Sequence, residues 1–162
     1  MNNAWLISLL VSNHFGVLTR VTALFGRRGY NIASLSVGET HDPAFSRITI
    51  ETHTDGAGVK QVIKQLNKLE DVKAVSILPR AEAVEMELML VKLVASQVRR
   101  EAILNAVLGF AVNIPYVDEG KIILQLTDTP ARCESFLEAL RPFTISELCR
   151  TGITALSAAS EM

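Results

Sequence analysis

In some segments of this chain the apolar residues fall at every second position, as in a strand, and in others they fall three and four residues apart, as in a helix. The order of these two kinds of segment is the feature that most restricts the fold. Between residues 4 and 78 the order is strand, helix, strand, strand, helix, strand, and residues 86–148 repeat it. This order is typical of the split β-α-β unit, in which two helices cover one face of a four-stranded antiparallel sheet. The sequence therefore predicts an α+β fold class with two tandem ferredoxin-like βαββαβ domains.

Apolar runs and strict alternation predict the strands, and apolar residues three and four apart predict the helices. In the first half the predicted elements are a strand over 4–11, a helix over 17–25, strands over 33–38 and 47–53, a helix over 59–66 and a strand over 72–78. In the second half they are a strand over 86–95, a helix over 99–110, strands over 112–116 and 122–126, a helix opened by Pro130 and a strand over 143–148.

The polar stretch from Pro79 to Glu85 is the predicted boundary between two halves that share an order of elements but little residue identity. The predicted organisation is a first domain over 1–79, a linker over 80–85, a second domain over 86–156 and a mobile tail over 157–162. Each half is near the lower size limit of independent stability, so burial between domains or between chains is expected.

The charge balance excludes several classes of partner. With 16 basic and 17 acidic residues the formal net charge is −1, which argues against nucleic acid or an anionic membrane surface as the main partner. The apolar runs are of strand length, and the first residues lack the basic character and cleavage site of a signal peptide. Two cysteines, Cys133 and Cys149, without metal-ligand spacing fit a reduced, cytoplasmic setting.

No constellation in the sequence predicts catalysis or metal binding. The three histidines, His14, His41 and His53, fall on three different predicted elements, and no phosphate-binding loop is present. Both cysteines have the neighbours of packed, inert thiols. The sequence therefore predicts no catalytic and no metal-ligating residues.

The turn from Asn13 to Gly16, which leads into the first predicted helix, is the one place that suggests a binding site. A helix N-terminus presents unpaired N–H groups and a partial positive charge, which favour a carboxylate. Gly16 lets a ligand approach the main chain, and Asn13 can donate and accept, as an amino-acid zwitterion requires. Asn31 could reach the same site, in its own or a neighbouring chain. The spacing alone equally allows Asn13 to cap the helix and Gly16 simply to permit the turn.

Longer stretches of sequence carry a resemblance to a known family. They are Leu9–Asn31, Leu35–Val37, Asp42–Pro43 with Ser46–Ile50, Lys64–Leu69 and Asp71–Val72 in the first half, and Glu87–Leu93 and Leu140–Gly152 in the second. The most specific motifs among them are Gly29-Tyr30-Asn31-Ile32, Arg141-Pro142-Phe143 and Arg150-Thr151-Gly152. By these motifs the chain resembles the regulatory (small) subunits of acetolactate synthase, whose first half is an ACT domain.

The resemblance implies an effector site built from two chains. The first domains of a homodimer would pair side by side and join their sheets, and a branched-chain amino acid, usually valine, would bind in the interface. Its carboxylate would meet the N–H groups of Gly16 and Val17, with Asn13 nearby and Asn31 from the partner chain. The effector-binding residues expected on this basis are Asn13, His14, Phe15, Gly16, Val17, Leu18, Asn31 and Ile32.

The resemblance also implies a catalytic partner. The second domain would help to engage and activate a large subunit that carries thiamine diphosphate, Mg²⁺ and FAD and condenses pyruvate with a second 2-oxo acid. This chain would bind none of these cofactors. It would be the non-catalytic subunit of a transferase in isoleucine, valine and leucine biosynthesis, and it would confer feedback inhibition by valine.

The first turn departs from the family pattern at two positions. Ser12 stands where an acidic residue is usual, and Phe15 where proline or a small residue is usual. A bulky Phe15 is therefore expected to affect effector choice or affinity.

Three alternatives share parts of the pattern. The first is an ACT-domain amino-acid sensor that regulates a different enzyme, but it would not require Arg141-Pro142-Phe143 and the motif that follows. An acylphosphatase would require a glycine-rich loop closed by an arginine, and Arg20 lies a full turn into the helix. An RNA-recognition module would require aromatic residues on the open face of the sheet, where the third strand instead offers Arg47, Thr49 and Glu51.

Overall fold

A computed structural model describes residues 3–159 of the 162-residue chain. Its helices and strands, in chain order, are β1 (Asn3–Ser12), α1 (Val17–Arg27), β2 (Ile32–Glu39), β3 (Phe45–Thr54), α2 (Gly56–Leu66), β4 (Val72–Ile77), β5 (Ala83–Val94), α3 (Gln97–Ala106), β6 (Val112–Val117), β7 (Lys121–Asp128), α4 (Pro130–Leu140), β8 (Ile145–Arg150) and β9 (Thr154–Ser157). The predicted α+β class with two βαββαβ units is confirmed. β9 is an element that the sequence analysis did not predict.

The first sheet is antiparallel, with the strand order β2-β3-β1-β4. Both helices pack on one face, because alternate residues of each strand are apolar and turn to the same side. The largest buried side chains of this core are Ile7, Leu9, Ile48 and Ile50 from the sheet with Phe25 and Leu66 from the helices. β2 and β4 are the two edges of the sheet.

Asp55 fixes the start of α2. Its side chain accepts the Gly58 N–H at 2.7 Å, as an N-cap residue does. Gly58 is packed so closely that a Cβ there would lie 2.1 Å from the hydroxyl of Thr54. The Asp55-Gly56 interruption in the sequence therefore marks a helix start.

The opposite face of the first sheet is covered by the chain itself. Leu6 and Leu78 form a second small core there with Ile153 and Ala155. Arg80, which follows β4, forms ion pairs with Glu51 of β3 and with Glu85. The first sheet therefore has an apolar layer on both faces.

The compact units differ from the predicted domain boundaries. Of the described residues, 3–85 and 153–159 form one unit, and Met86–Gly152 form the other. The predicted linker over 80–85 packs on the first unit through Arg80, and residues 153–156, predicted in the second domain, belong to the first unit. Residue 157 of the predicted tail lies in β9, and residues 160–162 lie outside the described residues. The apolar run from Ile153 is too short and too interrupted to be recognised as a strand before its burial is known.

The second sheet has the order β6-β7-β5-β8. Its helix-side core includes Met89, Leu93, Ile122 and Phe136, all with 1% exposure or less. α3 ends at Ala106, earlier than the predicted residue 110, because tightened hydrogen bonds replace the helix, such as Phe110 N–H to Val107 O at 3.0 Å.

One buried carboxylate lies in the second unit. Glu87 is 4% exposed and accepts two 2.7 Å hydrogen bonds from Arg150, which also pairs with Glu134. The hydrogen bonds to Glu87 raise the pKa of the Arg150 guanidinium, against the lowering effect of burial. This pairing joins β8 to β5.

Candidate functional site

The turn before α1 is held from both sides by the backbone. The Ser12 N–H donates to the Asp71 carbonyl at 2.8 Å, and the Asn13 N–H donates to the Ala44 carbonyl at 2.8 Å. Gly16 follows with φ +85°, in the left-handed region that glycine adopts without strain, and it is the N-cap residue of α1. Glycine is therefore needed here for the turn as well as for access to the backbone.

The first turn of α1 keeps its N–H groups available. Val17 is the exception, because its N–H donates to the His14 carbonyl at 3.4 Å, and no side chain within residues 3–159 caps the helix. Within residues 3–159, the N–H groups of Gly16, Leu18 and Thr19 have no hydrogen-bond acceptor. These donors, with the positive end of the helix dipole, suit an anionic group.

Asn13 does not cap α1. Its Nδ2 donates to Glu39 Oε1 at 3.0 Å and to the Pro43 carbonyl at 3.0 Å. The side chain is thereby fixed to the β2–β3 connection, and its Oδ1 has no donor within the described part of the chain. The capping interpretation of Asn13 is wrong, because Gly16 occupies the N-cap position.

Arg20 returns to the turn from one turn along α1. Its Nε donates to Asp71 Oδ2 at 2.8 Å, and Nη2 pairs with the same oxygen. Nη1 lies 3.3 Å from the position that a Cβ on Gly16 would occupy, and it makes no hydrogen bond within residues 3–159. A guanidinium nitrogen with free donors therefore lies next to the exposed backbone of the turn.

Asp71 holds both basic side chains of the site. His14 Nε2 lies 2.8 Å from Asp71 Oδ1, and Arg20 binds the other oxygen. Burial acts to raise the pKa of Asp71, but the hydrogen bonds and charges of Arg20 and His14 outweigh it and hold the pKa below the usual value of an aspartate. Asp71 is therefore ionised at neutral pH and orients Arg20.

The predicted site residues fall into two groups within one chain. Residues 13–18 lie together at the start of α1, where Phe15 is fully exposed and Val17 is buried in the core. Asn31 and Ile32 lie beyond the other end of α1, which spans about 16 Å for its 11 residues. A site that uses both groups requires a second chain.

Among residues 3–159, no group of three or more His, Cys, Asp or Glu side chains could hold a metal ion. Over the same residues, every helix is too short or too polar to traverse a lipid bilayer.

Comparison with known proteins decides the family. Residues 7–74 match the AHAS small subunit-like ACT domain, and residues 86–159 match the domain described as small subunit of acetolactate synthase. The chain is 39% identical to the acetolactate synthase small subunit of Bacillus subtilis, over 94% of this chain and 89% of that protein. It is 42% identical to the isozyme 3 small subunit of Salmonella typhimurium, over 94% of each chain. The chain belongs to the acetolactate synthase small subunit family.

The fold agrees with a solved member of the family. The crystal structure of the acetolactate synthase small subunit from Thermotoga maritima superposes with a TM-score of 0.88 at 33% identity, over 98% of this chain and 99% of that one. The chain is thus an ACT-domain member of a family of regulatory subunits.

Sequence reasoning about the small subunit missed Arg20 and Asp71. Arg20 lies four residues after Gly16, which is one helical turn, so this spacing could have placed it above the site. Asp71 is distant in sequence, and no local pattern pairs it with Arg20. The family comparison does not assign roles to individual residues, so the effector residues stay a prediction.

Proposed function

We propose that this small subunit binds valine between the ACT domains of a homodimer and that valine binding inhibits a catalytic large subunit that the small subunit otherwise activates. The observation that carries the proposal is the first turn of α1, where Gly16 exposes unpaired N–H groups beside Arg20. The family supports a regulatory role, and the turn gives that role a chemical site.

The turn suits the carboxylate of an amino acid. A carboxylate placed there accepts the N–H groups of Gly16, Leu18 and Thr19 and lies near the Nη1 donors of Arg20. Hydrogen bonds to a charged acceptor each contribute about 1.5–3 kcal/mol, and the helix dipole adds about 0.3–1 kcal/mol. The side-chain oxygen of Asn13, Oδ1, can accept a hydrogen bond from the ammonium group of the amino acid.

The site is completed by a second chain. Asn31 and Ile32 are separated from Gly16 of the same chain by the length of α1, so the partner's copies supply them. β2 is an edge strand with unpaired backbone groups, and Val37 on it is 50% exposed. Pairing of two first sheets side by side would satisfy such an edge.

The second domain, over residues 86–152 of the structure, engages the catalytic large subunit. Thiamine diphosphate, Mg²⁺ and FAD belong to that subunit, which condenses pyruvate with a second 2-oxo acid in the cytoplasm. Valine at the homodimer interface then favours an assembly in which the large subunit is less active, by an amount equal to its preference between the two states.

The alternative of an ACT-domain sensor for a different enzyme is disfavoured. Residues 86–159 match the family's own second domain, which a generic sensor would have no reason to carry. The large subunit of acetolactate synthase is therefore the partner to test first.

Calorimetric titration of the isolated small subunit tests the site chemistry. Valine is expected to bind, and valinamide, which lacks the carboxylate, is expected to bind at least about tenfold more weakly, since one lost charged hydrogen bond exceeds 1.4 kcal/mol. Leucine and isoleucine measure the choice among branched side chains. Equal affinity for valine and valinamide would contradict a carboxylate at the turn.

A further inference from the structure

Residues 153–157, here called the C-terminal arm, are fixed to β2 by hydrogen bonds from side chains. The Ile153 N–H donates to Ser34 Oγ at 2.7 Å, and Ser36 Oγ donates to the Ile153 carbonyl at 2.8 Å. The Thr154 hydroxyl adds a 3.0 Å bond to Ser36 Oγ. Both backbone groups of Ile153 thus depend on two serines of one strand.

The apolar side chains of the arm reinforce this attachment. Ile153 and Ala155 are 5% and 2% exposed and pack with Leu6 and Leu78 on the face of the sheet opposite the helices. Past the arm, the Ala158 N–H donates to the Glu82 carbonyl at 2.7 Å. The arm is therefore a specific strand-like attachment rather than a loose tail.

β2 also carries one half of the proposed effector site. Asn31 immediately precedes β2, Ile32 begins it, and the Asn31 carbonyl accepts from the Thr52 hydroxyl at 2.7 Å. Ser34 lies three residues after Asn31, which is about 10 Å along a strand. An effector that contacts Asn31 and Ile32 therefore contacts the same strand that holds the arm.

The residues just before the arm are fixed to the second unit. Arg150 makes two hydrogen bonds to buried Glu87, and Thr151 both donates its N–H to the Leu88 carbonyl at 3.0 Å and accepts the Leu88 N–H on its hydroxyl at 3.1 Å. Gly152 then turns with φ +79°. Gly152 is therefore the one residue between Thr151, which is bonded to the second unit, and Ile153 of the arm.

We propose that the C-terminal arm relays the state of the effector site to the second domain, with Ser34 and Ser36 as its positioning residues. The inference rests on the proposed function, since it assigns a route to valine inhibition. Effector binding shifts β2, the two serine bonds shift Ile153, and the Arg150-Thr151-Gly152 junction passes the displacement to β5 and β8. The relay requires the serine bonds to differ in strength between the active and inhibited assemblies.

The test uses the full small subunit with its large subunit and a double variant, Ser34→Ala with Ser36→Ala. Acetolactate formation is followed across a valine titration, and valine binding to the small subunit is measured by calorimetry. Ser34→Thr with Ser36→Thr keeps both hydroxyls in a strand that tolerates β-branched residues. Ser76→Ala is the matched control. Ser76 lies on β4, the other edge strand, where it pairs with Ser8 of β1, and its hydroxyl makes no hydrogen bond within residues 3–159.

The double alanine variant is expected to bind valine and to activate the large subunit as the unsubstituted chain does. Its valine concentration for half-inhibition is expected to rise about fivefold or more, the size of a typical coupling between sites. The threonine variant and Ser76→Ala are expected to stay inhibited. If the serines only stabilised the fold, the double alanine variant would lose both activation of the large subunit and affinity for valine.

Two outcomes overturn the inference in distinguishable ways. If the double alanine variant stays as sensitive to valine as the unsubstituted chain, the relay is wrong and the proposed function stands. If the unsubstituted chain is itself not inhibited by any branched-chain amino acid, the proposed function fails and leaves the arm no signal to relay.

Discussion

Arg20 lies over Gly16 at the start of α1, with Nη1 3.3 Å from the position that a Cβ on residue 16 would occupy. The backbone N–H of Arg20 also donates to the Gly16 carbonyl at 3.0 Å. The same glycine therefore sets the turn, exposes the helix N–H groups and places a cation beside them. Substitutions of Gly16 and Arg20 can therefore distinguish the effect of charge on valine binding from the effect of side-chain shape.

Gly16→Asp is expected to abolish valine inhibition while activation of the large subunit is retained. The new carboxylate would lie against the effector's own carboxylate and would compete for Arg20. Gly16→Asn is the matched control, since it has the same shape without the charge, and both residues tolerate a positive φ better than most. Each is expected to cost about 1–3 kcal/mol in unfolding free energy.

Valine titrations of acetolactate formation check this pair. A half-inhibition concentration at least about tenfold higher for the aspartate than for the asparagine variant is expected. Equal inhibition of the two would show that charge at residue 16 is irrelevant and that the carboxylate lies elsewhere.

Arg20→Ala is expected to weaken valine binding about tenfold, because one charge-assisted donor is lost from the site. Its effect on the melting temperature should be small, since Arg20 is about half exposed and exposed ion pairs contribute little. Arg27→Ala serves as the control, as Arg27 lies in the last turn of the same helix and donates only to the Ala23 carbonyl within the described residues. Calorimetry that found equal losses for both variants would exclude a local role for Arg20.

Asp71→Asn is expected to destabilise the protein at neutral pH and to have a vanishing effect in acid. The pKa of Asp71 is lower in the folded state than in the unfolded chain, so folding favours its ionised form. That contribution is fully present above the unfolded pKa and is lost as the pH falls through the lower folded value.

Melting temperatures of the two proteins at neutral pH and near pH 2.5 measure this difference. A difference that grew toward acid would contradict the assigned pairing of Asp71 with Arg20 and His14.

Most of the fold could be predicted because the apolar spacing is regular. β7 alternates buried and more exposed residues as its sequence indicates, and β1 is the buried apolar run that its sequence predicts. The arm could not be predicted in the same way. Ile153 and Ala155 are two apolar residues in a short segment, and their burial depends on Leu6 and Leu78, far away in the chain.

The part of the candidate site that depends on local sequence could be predicted, and the part that depends on long-range contacts could not. Gly16 and its N–H groups are properties of a local turn, which a sequence displays directly. Asp71 reaches the turn only because β4 starts beside the end of β1, where the Ser12 N–H meets the Asp71 carbonyl. The separation of Asn31 from Gly16 likewise follows from the length of α1 once the fold is known.

Arg150→Ala is expected to lower the unfolding free energy by about 3 kcal/mol, because Glu87 would be left buried without its partner. The Glu87 side chain is 3% exposed, so solvent cannot replace the two lost hydrogen bonds. Replacing Glu87 by Met as well is expected to recover most of the loss.

Arg141→Ala is the control for that measurement. Arg141 pairs with Glu138 at the surface, where the two side chains are 78% and 70% exposed, so its removal should cost less than about 1 kcal/mol. Denaturant unfolding that gave the two arginines equal effects would contradict the structural role assigned to the Glu87–Arg150 pair.

The most direct test of the central claim is acetolactate formation by the large subunit from the same source, with and without this chain, across a valine titration. Stimulation by the chain that valine reverses is the predicted result. Stimulation without reversal by valine, leucine or isoleucine would contradict the effector site while keeping the subunit pairing. No stimulation at any ratio of the two chains would contradict the proposed activation itself.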